Sequence, residues 1–600
     1  MKPQPLSTAS RDDALTRLRA TAEPDGQPLD ILVIGGGVVG AAAAFDAAGR
    51  GLSTGLVEAR DFGEGTSSRS SKLVHGGLRY LQMLDVKLVA EALRERDLLL
   101  RRLAPHLVRP LPFIFPFDKR VVDRAFIGSG VTLYDTLAAG SSILRGARGR
   151  AVPFHRHLGR SRLRRRFPSL DTEKYHGALE YYDAQVDDAR LVLTLARSAH
   201  SLGAAVSSRT EAVGYLTDDG AEPGRVTGVR LRDQLTGDEF EVRAKEVILA
   251  AGVWTGQAQE PALDRQPDAA AAGLKVLASK GVHITVDRDR ITAEDTVGII
   301  TQTEKSVLFV IPLRDVWAIG TTDTAWHQDV DSPAATSADI DYVLEHANAV
   351  LGEDLTRADV LASWAGLRPL VQPVKAGERS SAKVSREHTV MQLAPGLTGI
   401  AGGKLTTYRV MAEDAVDFAA AGTFKDRASI TAALPLLGAQ GYGEWVDQAE
   451  DLARRYHWEH DRVDRLLNRY GTLLSEVVEL IEEDPALGTP LEHAPSYLRA
   501  EIVYAVVAEG ALHLDDLLAR RTRLVHETAD RGLAAADEIL QIAAPLLGWD
   551  AERAAAERAA YTAHIDAVME AETMNDDAAA AQLIAANYPV PGQDLQARSS

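Results

Sequence analysis

The stretch LDILVIGGGVVGAAAAFDAAGRGLSTGLVEA, residues 29–59, decides the fold of this chain. A short apolar strand leads through a glycine turn into an alanine-rich helix, and a second strand follows, which is the order of a dinucleotide-binding βαβ unit. Gly35 permits the tight turn, Gly37 lets a pyrophosphate approach the backbone, and Gly40 lets the helix pack closely on the strand. Glu58 ends the second strand, where a carboxylate accepts hydrogen bonds from ribose hydroxyls. The stretch predicts a bound dinucleotide, either NAD or FAD.

The segment that follows favours FAD. Residues 63–81, GEGTSSRSSKLVHGGLRYL, are rich in small and hydroxyl-bearing side chains that can wrap an extended ligand beyond its pyrophosphate. A nicotinamide cofactor that diffuses away needs no such wrap. Two later segments fit the same tightly held ligand, VILAAGVWT at 247–255 and IAGGKLTTYR at 400–409. The second is a glycine turn that opens a helix, and the N-terminus of this helix would place positive potential on a reduced flavin.

All of these segments are predicted to contact the cofactor. In the glycine turn and second strand the predicted residues are Gly35, Gly37, Gly40 and Glu58. In the wrapping segment they are Thr66, Ser67, Ser68, Ser71, Lys72, Leu73 and His75. In the two later segments they are Ala251, Gly252, Trp254, Gly402, Gly403, Leu405 and Thr406. No metal site is predicted.

The composition of the 600 residues excludes several classes of protein. With 85 acidic and 66 basic residues, the net charge of −19 disfavours non-specific binding to nucleic acid. The absence of cysteine excludes disulfides, thiolate metal sites, iron–sulfur clusters and cysteine nucleophiles. The N-terminus has no apolar core of signal-peptide length, so we expect a cytoplasmic protein. The longest uncharged apolar run, residues 31–45, is shorter than the roughly 18–20 residues that span a bilayer.

The pattern along the chain predicts an α/β or α+β body followed by a helical domain. Short β-branched runs alternate with helical stretches over residues 29–425. Over residues 430–575 apolar side chains recur at helical spacing, as around Leu466, with almost no strand signals. Residues 1–28 are expected to be a tail or a loosely held helix, and residues 576–600 are expected to be a tail.

Eight motifs, in order, resemble those of the FAD-dependent glycerol-3-phosphate dehydrogenases. They are IGGGVVG, TSSRSSKLVHGGLRYL, YYDAQVDDARL, SKGVHI, FVIPL, IGTTDT, AGLRPL and AGGKLTTYR. The resemblance covers residues 29–575 and implies the fold of the D-amino-acid-oxidase-like flavoproteins. This fold has a Rossmann-like FAD-binding domain and a substrate domain with an antiparallel sheet, and the family adds a C-terminal all-helical domain. The implied reaction is oxidation of sn-glycerol 3-phosphate to dihydroxyacetone phosphate, with electrons passing from FAD to a quinone.

The same resemblance implies how the body is divided and where the protein works. The FAD-binding parts are expected near 29–115, 180–280 and 360–425, and the substrate parts near 116–180 and 281–360. The implied partners are glycerol 3-phosphate, a quinone and the surface of the membrane, at the inner face of the cell membrane. A homodimer is left open, and no nucleic-acid partner is expected.

The resemblance also implies a substrate pocket. Its residues would be Arg79 and Tyr80 of HGGLRYL, His283 of KGVHI, Arg368 of GLRPL, Arg386 of SREHT and Lys404 of GGKLTT. A phosphate dianion independently calls for guanidinium groups, which bind its oxygens in pairs as lysine cannot.

Three of these residues are expected to be catalytic. Oxidation of a secondary alcohol needs a base for the hydroxyl proton, and a histidine with a pKa near about 6.5 suits that task. We expect His283 to be this base, with Arg368 beside it and Lys404 polarising the developing carbonyl or stabilising flavin charge. Arg79, Tyr80 and Arg386 are expected to bind the substrate.

Three aspartates have simpler interpretations. Asp187 and Asp188 resemble a catalytic pair, but they precede a helical stretch, and we expect them to cap its N-terminus. Asp323 of GTTDT is expected to stabilise a turn.

One acid-free stretch runs against the global charge. Between Asp135 and Asp171 the sequence has arginine at 145, 148, 150, 156, 160, 162, 164, 165 and 166. Apolar residues at 144, 152, 154, 158, 163 and 167 are interleaved with them. Such a surface can rest on anionic lipid, at ~1 kcal/mol per basic residue, or it can be a solvated loop that pairs with acidic residues elsewhere. No EF-hand loop occurs, so the calcium regulation of mitochondrial relatives is not expected.

Other functions remain open at this point. A glycerol-3-phosphate oxidase would share the first half-reaction and return electrons to dioxygen. A non-catalytic flavoprotein scaffold, or an amino-acid or sarcosine-type oxidase on the same fold, fits less well because neither needs so many pocket arginines.

Overall fold

The computed structural model describes residues 1–77, 85–117, 128, 130–138, 151–171, 173–218, 224–263, 273–294, 296–303, 307–372, 388–421, 424 and 426–588. The strands are β1 (Leu29–Ile34), β2 (Thr54–Val57), β3 (Leu73–Val74), β4 (Val108–Phe117), β5 (Arg156–Gly159), β6 (Gly177–Val186), β7 (Ala205–Ser207), β8 (Thr210–Thr217), β9 (Val226–Asp233), β10 (Glu239–Leu249), β11 (Lys275–Asp287), β12 (Gly298–Gln302), β13 (Val307–Pro312), β14 (Val316–Gly320), β15 (Thr324–Trp326), β16 (Val360–Gln372), β17 (His388–Ala394), β18 (Leu397–Gly402), β19 (Pro490–Leu491) and β20 (Ala494–Leu498). The helices are α1 (Thr8–Ala20), α2 (Val38–Gly49), α3 (Val86–Leu98), α4 (Arg160–Arg166), α5 (Asp188–Ser201), α6 (Thr255–Leu263), α7 (Ser337–Asn348), α8 (Tyr408–Ala420), α9 (Tyr442–Asp447), α10 (Ala449–Tyr456), α11 (His460–Tyr470), α12 (Leu474–Glu483), α13 (Arg499–Val507), α14 (Leu524–Glu527), α15 (Ala536–Leu547), α16 (Ala551–Ala571) and α17 (Asp577–Asn587).

The first sheet carries the dinucleotide-binding unit. Its strands lie in the order β17, β18, β10, β1, β2 and β7, and the last five are parallel. β8 and β9 extend it as an antiparallel hairpin on β10. Because the carboxyl ends of parallel strands meet at one edge, the turns after β1, β2 and β10 lie together there. The predicted Rossmann-like arrangement is confirmed.

The second sheet is mostly antiparallel. Its strands lie in the order β15, β11, β14, β13, β12, β4, β6 and β3, with β16 also on β11 and β5 also on β6. The register places His283 of β11 between Gly320 of β14 and Trp364 of β16. β4 and β16 belong to this second sheet, although they fall mostly in chain segments that the sequence assigned to FAD binding.

The C-terminal region is helical, as predicted, apart from the short hairpin β19–β20. Its apolar spacing is explained by two cores. One contains Val463, Leu466 and Leu467 of α11 with residues of α12 and α13. The other contains Ile502 of α13 and Ile539 of α15.

Buried charges join the helical domain to the FAD-binding body. The carboxylate of Asp61 accepts a hydrogen bond from Arg521, Nη2 to Oδ1 at 2.8 Å, and another from Arg520, Nε to Oδ2 at 2.5 Å. Burial raises the pKa of Asp61, but the two guanidinium groups outweigh it, so the pKa lies well below its usual range. Asp515 and Asp516 also pair with Arg520 Nη2, at 2.7 and 2.6 Å. The guanidinium thus supplies the positive charge in this carboxylate cluster.

Both expected tails contain a docked helix. In α1, Arg11 is buried and its Nη2 lies 2.5 Å from Asp233 Oδ1. At the start of α17, Asp577 Oδ1 lies 2.6 Å from the buried Nζ of Lys280 on β11. Both helices also bury apolar side chains against residues far along the chain, among them Leu18 of α1 and Ile584 of α17. Their own sequences show little apolar periodicity, so the pattern did not indicate that they dock.

Candidate active site

A cavity of about 620 Å³ lies between the two sheets. Its wall includes the glycine turn after β1, the end of β2 and the segment after it, the turn after β10, and parts of β11, β16 and β18. The predicted cofactor segments are therefore brought together, although they are separated by hundreds of residues in the chain.

The glycine turn leaves no room for side chains. A Cβ atom at Gly35 would lie 2.6 Å from the carbonyl oxygen of Ala250, and one at Gly40 would overlap the carbonyl of Gly35. Gly35 also has a φ of +105°, which favours glycine. α2 begins directly after Gly37, so the N–H groups of its first turn lie at the cavity wall, where that of Val38 donates to the Ser67 hydroxyl at 3.1 Å. A pyrophosphate fits this cradle.

Glu58 lies at the carboxyl end of β2, as predicted. Its Oε2 accepts a hydrogen bond from the backbone N–H of Gly36 at 2.6 Å, and its Oε1 from that of Arg60 at 2.8 Å. Burial raises the pKa of the Glu58 carboxyl, against the lowering effect of these two N–H groups. The carboxylate borders the cavity, where it can also accept a ribose hydroxyl.

Most of the predicted cofactor-binding residues line the cavity. They are Gly35, Gly37, Glu58, Thr66, Ser67, Ser71, Leu73, His75, Ala251, Gly252, Trp254, Gly402, Gly403 and Leu405. Gly40, Ser68, Lys72 and Thr406 lie behind this wall instead. Thr406 Oγ1 bonds both the N–H of His75, at 3.0 Å, and its carbonyl, at 3.1 Å, and so ties two cofactor segments together.

His283 is 2% exposed, and its ring is held on two sides. It stacks on Trp364 with a centroid distance of 4.9 Å and an interplanar angle of 7°. On the neighbouring strand, a Cβ atom at Gly320 would lie 2.5 Å from its Cδ2. Its Nε2 lies 2.9 Å from the hydroxyl of Ser71, which lines the cavity. Burial, with the nearby charges of Arg368 and Lys72, lowers the pKa of His283 well below its usual value.

Arg368 reaches the same part of the cavity from β16. Its Nη2 donates to the Thr321 hydroxyl at 3.1 Å and to the Thr322 carbonyl at 3.2 Å, and its Nη1 lies 3.4 Å from Asp323 Oδ1. A Cβ atom at Gly281 would lie 2.5 Å from Nη2, so this glycine makes room for the guanidinium.

Several residues of this site were missed in the sequence. Asp323 was expected to stabilise a turn, but its carboxylate is the acidic partner of Arg368 and also accepts a hydrogen bond from Ser279 at 2.5 Å. Trp364 lies outside the motifs of the resemblance, and the roles of Gly281 and Gly320, which lie within SKGVHI and IGTTDT, depend on cross-strand pairing. The signal that could have identified Asp323 as a site residue was its position in GTTDT, which belongs to one of the eight motifs of the resemblance.

Asp187 and Asp188 have different environments. Asp187 caps α5 as predicted, since its Oδ1 accepts a hydrogen bond from the N–H of Arg190 at 3.2 Å. Asp188 is fully buried, and its carboxylate pairs with Lys72 at 3.0 Å and with Arg523 at 2.5 Å. The second aspartate therefore links the wrapping segment to the helical domain.

Lys404 lines the cavity immediately before the short helical turn Leu405–Thr407 that leads into α8. The predicted glycine turn and helix are thus present at this end. Gly402 and Gly403 have φ values of +83° and +77°. The remaining predicted substrate residues, Arg79, Tyr80 and Arg386, lie outside the described residues.

The arginine-rich stretch is partly a paired surface. Arg156 and Arg166 pair with Glu180, at 2.8 and 3.4 Å, and Arg160 pairs with Glu173 at 3.0 Å. The arginines at 162, 164 and 165 are exposed and pair with no acidic residue within the described ranges. The apolar residues at 152, 158, 163 and 167 are buried, which corrects the expectation that they lie on the surface, whereas Phe154 is 57% exposed. The residues at 144, 145, 148 and 150 lie outside the described residues.

Comparison with known proteins identifies the family. A family model described as FAD dependent oxidoreductase matches residues 30–409, and one described as the C-terminal domain of alpha-glycerophosphate oxidase matches residues 429–554. A glycerol-3-phosphate dehydrogenase of Mycobacterium leprae is 48% identical over 559 residues, which is 93% of this chain and 91% of that protein. The chain belongs to the family of FAD-dependent glycerol-3-phosphate dehydrogenases.

More distant members of the glycerol-3-phosphate dehydrogenase family agree. The human mitochondrial glycerol-3-phosphate dehydrogenase is 37% identical over 560 residues, covering 90% of this chain and 73% of that one. A crystal structure of the Bacillus halodurans enzyme complexed with FAD superimposes with a TM-score of 0.72 at 29% identity, over 94% of this chain and 98% of that chain. FAD is therefore the cofactor, and the cavity with its glycine cradle fits it. Within the described residues, no helix has the length and apolar character to cross a membrane.

Proposed function

We propose that this chain oxidises sn-glycerol 3-phosphate at its secondary hydroxyl, giving dihydroxyacetone phosphate. The observation that carries the proposal is the convergence of the Ser71–His283 pair and Arg368 on the wall of a cavity that fits FAD. The names of the most similar relatives support the choice of substrate. FAD, when bound, supplies the acceptor for the hydride that leaves the substrate carbon.

Arg368 binds the phosphate of the substrate in this proposal. Its guanidinium is held in the cavity wall by Thr321, Thr322 and Asp323, so its orientation is fixed before the substrate arrives. Arg79 and Arg386 add further donors to the same dianion, and Tyr80 contacts the substrate beside Arg79.

His283 accepts the hydroxyl proton at Nε2, the ring nitrogen that bonds the Ser71 hydroxyl at the cavity wall. The ring is neutral at neutral pH, because its pKa lies well below the ordinary value. This makes it a weaker base in the free protein than the sequence led us to expect. A phosphate dianion on Arg368 neutralises one of the charges that lower the pKa, so substrate binding itself strengthens the base. Lys404 stabilises the negative charge that develops on the substrate oxygen or the flavin.

Electrons leave the enzyme to a membrane quinone in this proposal. Three exposed arginines, Arg162, Arg164 and Arg165, together with exposed Phe154, form the surface that we propose rests on anionic lipid at the inner face of the cell membrane. These three arginines pair with no acidic residue in the part of the chain that the structure describes, and this feature, with the exposed aromatic ring, distinguishes the face from the paired arginines around it.

The reaction is tested by mixing the yellow protein with glycerol 3-phosphate without oxygen and following flavin absorbance. We expect bleaching by the wild type and slower reduction, by about 10²–10⁴-fold, for His283→Gln with FAD still bound. His346→Gln on α7 is the matched control and should bleach at the wild-type rate. Failure of glycerol 3-phosphate to bleach the wild type would refute the proposed substrate.

The electron acceptor and the membrane surface need separate tests. Under air, the yield of peroxide is compared with the reduction of a quinone analogue, and a predominance of peroxide would identify an oxidase. In flotation with acidic liposomes, glutamine at 162, 164 and 165 should abolish binding. A matched triple replacement at Arg232, Arg454 and Arg455 should not. Equal flotation of both variants would refute the proposed surface.

A further inference from the structure

We propose that Arg523 and His526 of the helical domain are positioning residues that keep the side chains of Ser71 and His283 in place relative to each other. The inference rests on the proposed role of His283 as the base. Two separate series of contacts support the hydrogen bond between Ser71 and His283. One runs from His526 of α14 to His283, and the other from Arg523, the residue before α14, to Ser71.

The first series of contacts reaches His283. The ring of His526 lies against Trp364, with a centroid distance of 4.8 Å and an interplanar angle of 45°. Trp364 is the indole on which His283 stacks. The carbonyl of His526 accepts a hydrogen bond from the Thr285 hydroxyl at 2.8 Å. Thr285 points to the same face of β11 as His283, because the two residues are two positions apart in the strand.

The second series of contacts reaches Ser71. Arg523 pairs with the fully buried carboxylate of Asp188, Nη2 to Oδ1 at 2.5 Å. The same carboxylate accepts the hydroxyl of Ser70 at 2.7 Å and its N–H at 3.0 Å, and it also pairs with Lys72 Nζ at 3.0 Å. Ser71 is thus flanked on both sides by residues that Asp188 holds.

These contacts do more than dock one domain on another. The docking itself is provided elsewhere, by Asp61 with Arg520 and Arg521. Arg523 acts through Asp188 on Ser70 and Lys72, the two neighbours of Ser71 in the chain. His526 acts on His283 through one side chain, that of Trp364. Reacting groups must be held to within fractions of an ångström, and a shift of about 1 Å can cost about 10²-fold in rate. By positioning Ser71 and His283, Arg523 and His526 therefore give the helical domain a part in the reaction.

A double-mutant cycle tests the inference, with the rate of anaerobic flavin reduction as the readout. We expect His526→Leu to slow reduction at least about ten-fold with FAD bound and the thermal midpoint close to the wild type. In the His283→Gln background the same change should have no further effect, since the group it positions is gone. His513→Leu, in the same domain but paired with Glu557, is the matched control and should leave the rate unchanged.

A second pair of variants covers the possibility that His526→Leu does not fold. Arg523→Lys keeps the positive charge beside Asp188 and should retain most of the rate, whereas Arg523→Gln should lose at least about ten-fold. For both slowed variants, the acid limb of the pH profile of kcat/KM should move toward the ordinary histidine range, because a loosened His283 is less desolvated. A role in folding alone would not move this limb.

The outcomes separate the inference from the proposed function. If the wild type is not bleached, or if His283→Gln reduces its flavin at the wild-type rate, the proposed function fails and the inference falls with it. If both of those controls behave as expected, two results overturn the inference alone. One is a wild-type rate in His526→Leu and Arg523→Gln. The other is an equal fractional loss with and without His283.

Discussion

The two ends of the cavity are built by opposite means. The glycine end comes from one continuous stretch, residues 29–59, and works through backbone N–H groups and the absence of side chains. The histidine end gathers side chains from distant segments, among them Ser71, His283 and Arg368, and it is supported from a different domain. A backbone site is encoded locally and tolerates no substitution, whereas a side-chain site depends on every contact that holds its parts together.

The largest effect should come from adding one methyl group at the glycine end. In Gly40→Ala the new Cβ overlaps the carbonyl of Gly35, and neither backbone can give way, so we expect the purified protein to lose its FAD. The control is Gly49→Ala in the same helix, where the nearest side-chain atom lies 3.5 Å away. Flavin content per protein measures the difference, and a yellow Gly40→Ala protein would break the comparison.

The next effect concerns the docking of the helical domain on the FAD-binding body. Arg521→Gln leaves Asp61 as a buried, under-compensated charge, and we expect a loss of about 3–5 kcal/mol in stability. Arg454→Gln, whose partner Asp451 is exposed, should change stability by less than about 1 kcal/mol. Thermal and urea unfolding of both variants provide the measurement. Equal unfolding midpoints for the two variants would show that the pair of Asp61 and Arg521 does not stabilise the protein.

A smaller effect is expected at the substrate. Arg368→Lys keeps the charge but loses the guanidinium fork, so binding of a phosphate analogue should weaken by about 1.5–3 kcal/mol, or about ten- to hundredfold. Arg357→Lys on the surface is the control, because the exposed side chain of Arg357 pairs with Asp341 and with the carbonyl of Ser337 on the nearby helix α7. Titration of flavin absorbance gives the dissociation constants, and an unaltered constant for Arg368→Lys would remove this arginine from the phosphate site.

The smallest effect is a pH dependence at the junction with the helical domain. Burial and then Arg190 lower the pKa of His106 to about 3, so its ring stays neutral in the folded protein. The unfolded chain takes up a proton below about pH 6.5, and the stabilisation is therefore lost as pH falls from there toward 3. Between pH 7.5 and 5 the wild type should lose about 2 kcal/mol relative to His106→Gln.

Urea unfolding at the two pH values measures the difference for His106. A constant difference between wild type and His106→Gln would show that folding does not lower the pKa of His106.

Prediction from the sequence succeeded where the signal is local. The glycine turn, Glu58 at the end of β2, the helix that follows Gly403, the helical C-terminal region and the Asp187 cap all depend on neighbours within a few residues. The docking of α1 and α17 was not predicted, because it depends on residues far along the chain, such as Asp233 for Arg11 and the core around Trp326 for Ile584. Asp323 failed because its partner lies on another strand.

The sequence by itself determined that this chain binds FAD, has a Rossmann-like body and a helical domain, and resembles a family that oxidises a phosphorylated alcohol. Only the tertiary structure decided that His283 lies between Gly320 and Trp364, and that Arg523 and His526 reach the site from the helical domain. The physical reason is the distance along the chain between the residues that interact. Backbone conformation and periodicity are set by residues close in the chain, whereas burial, pKa and ring stacking are set by whichever residues the fold brings together.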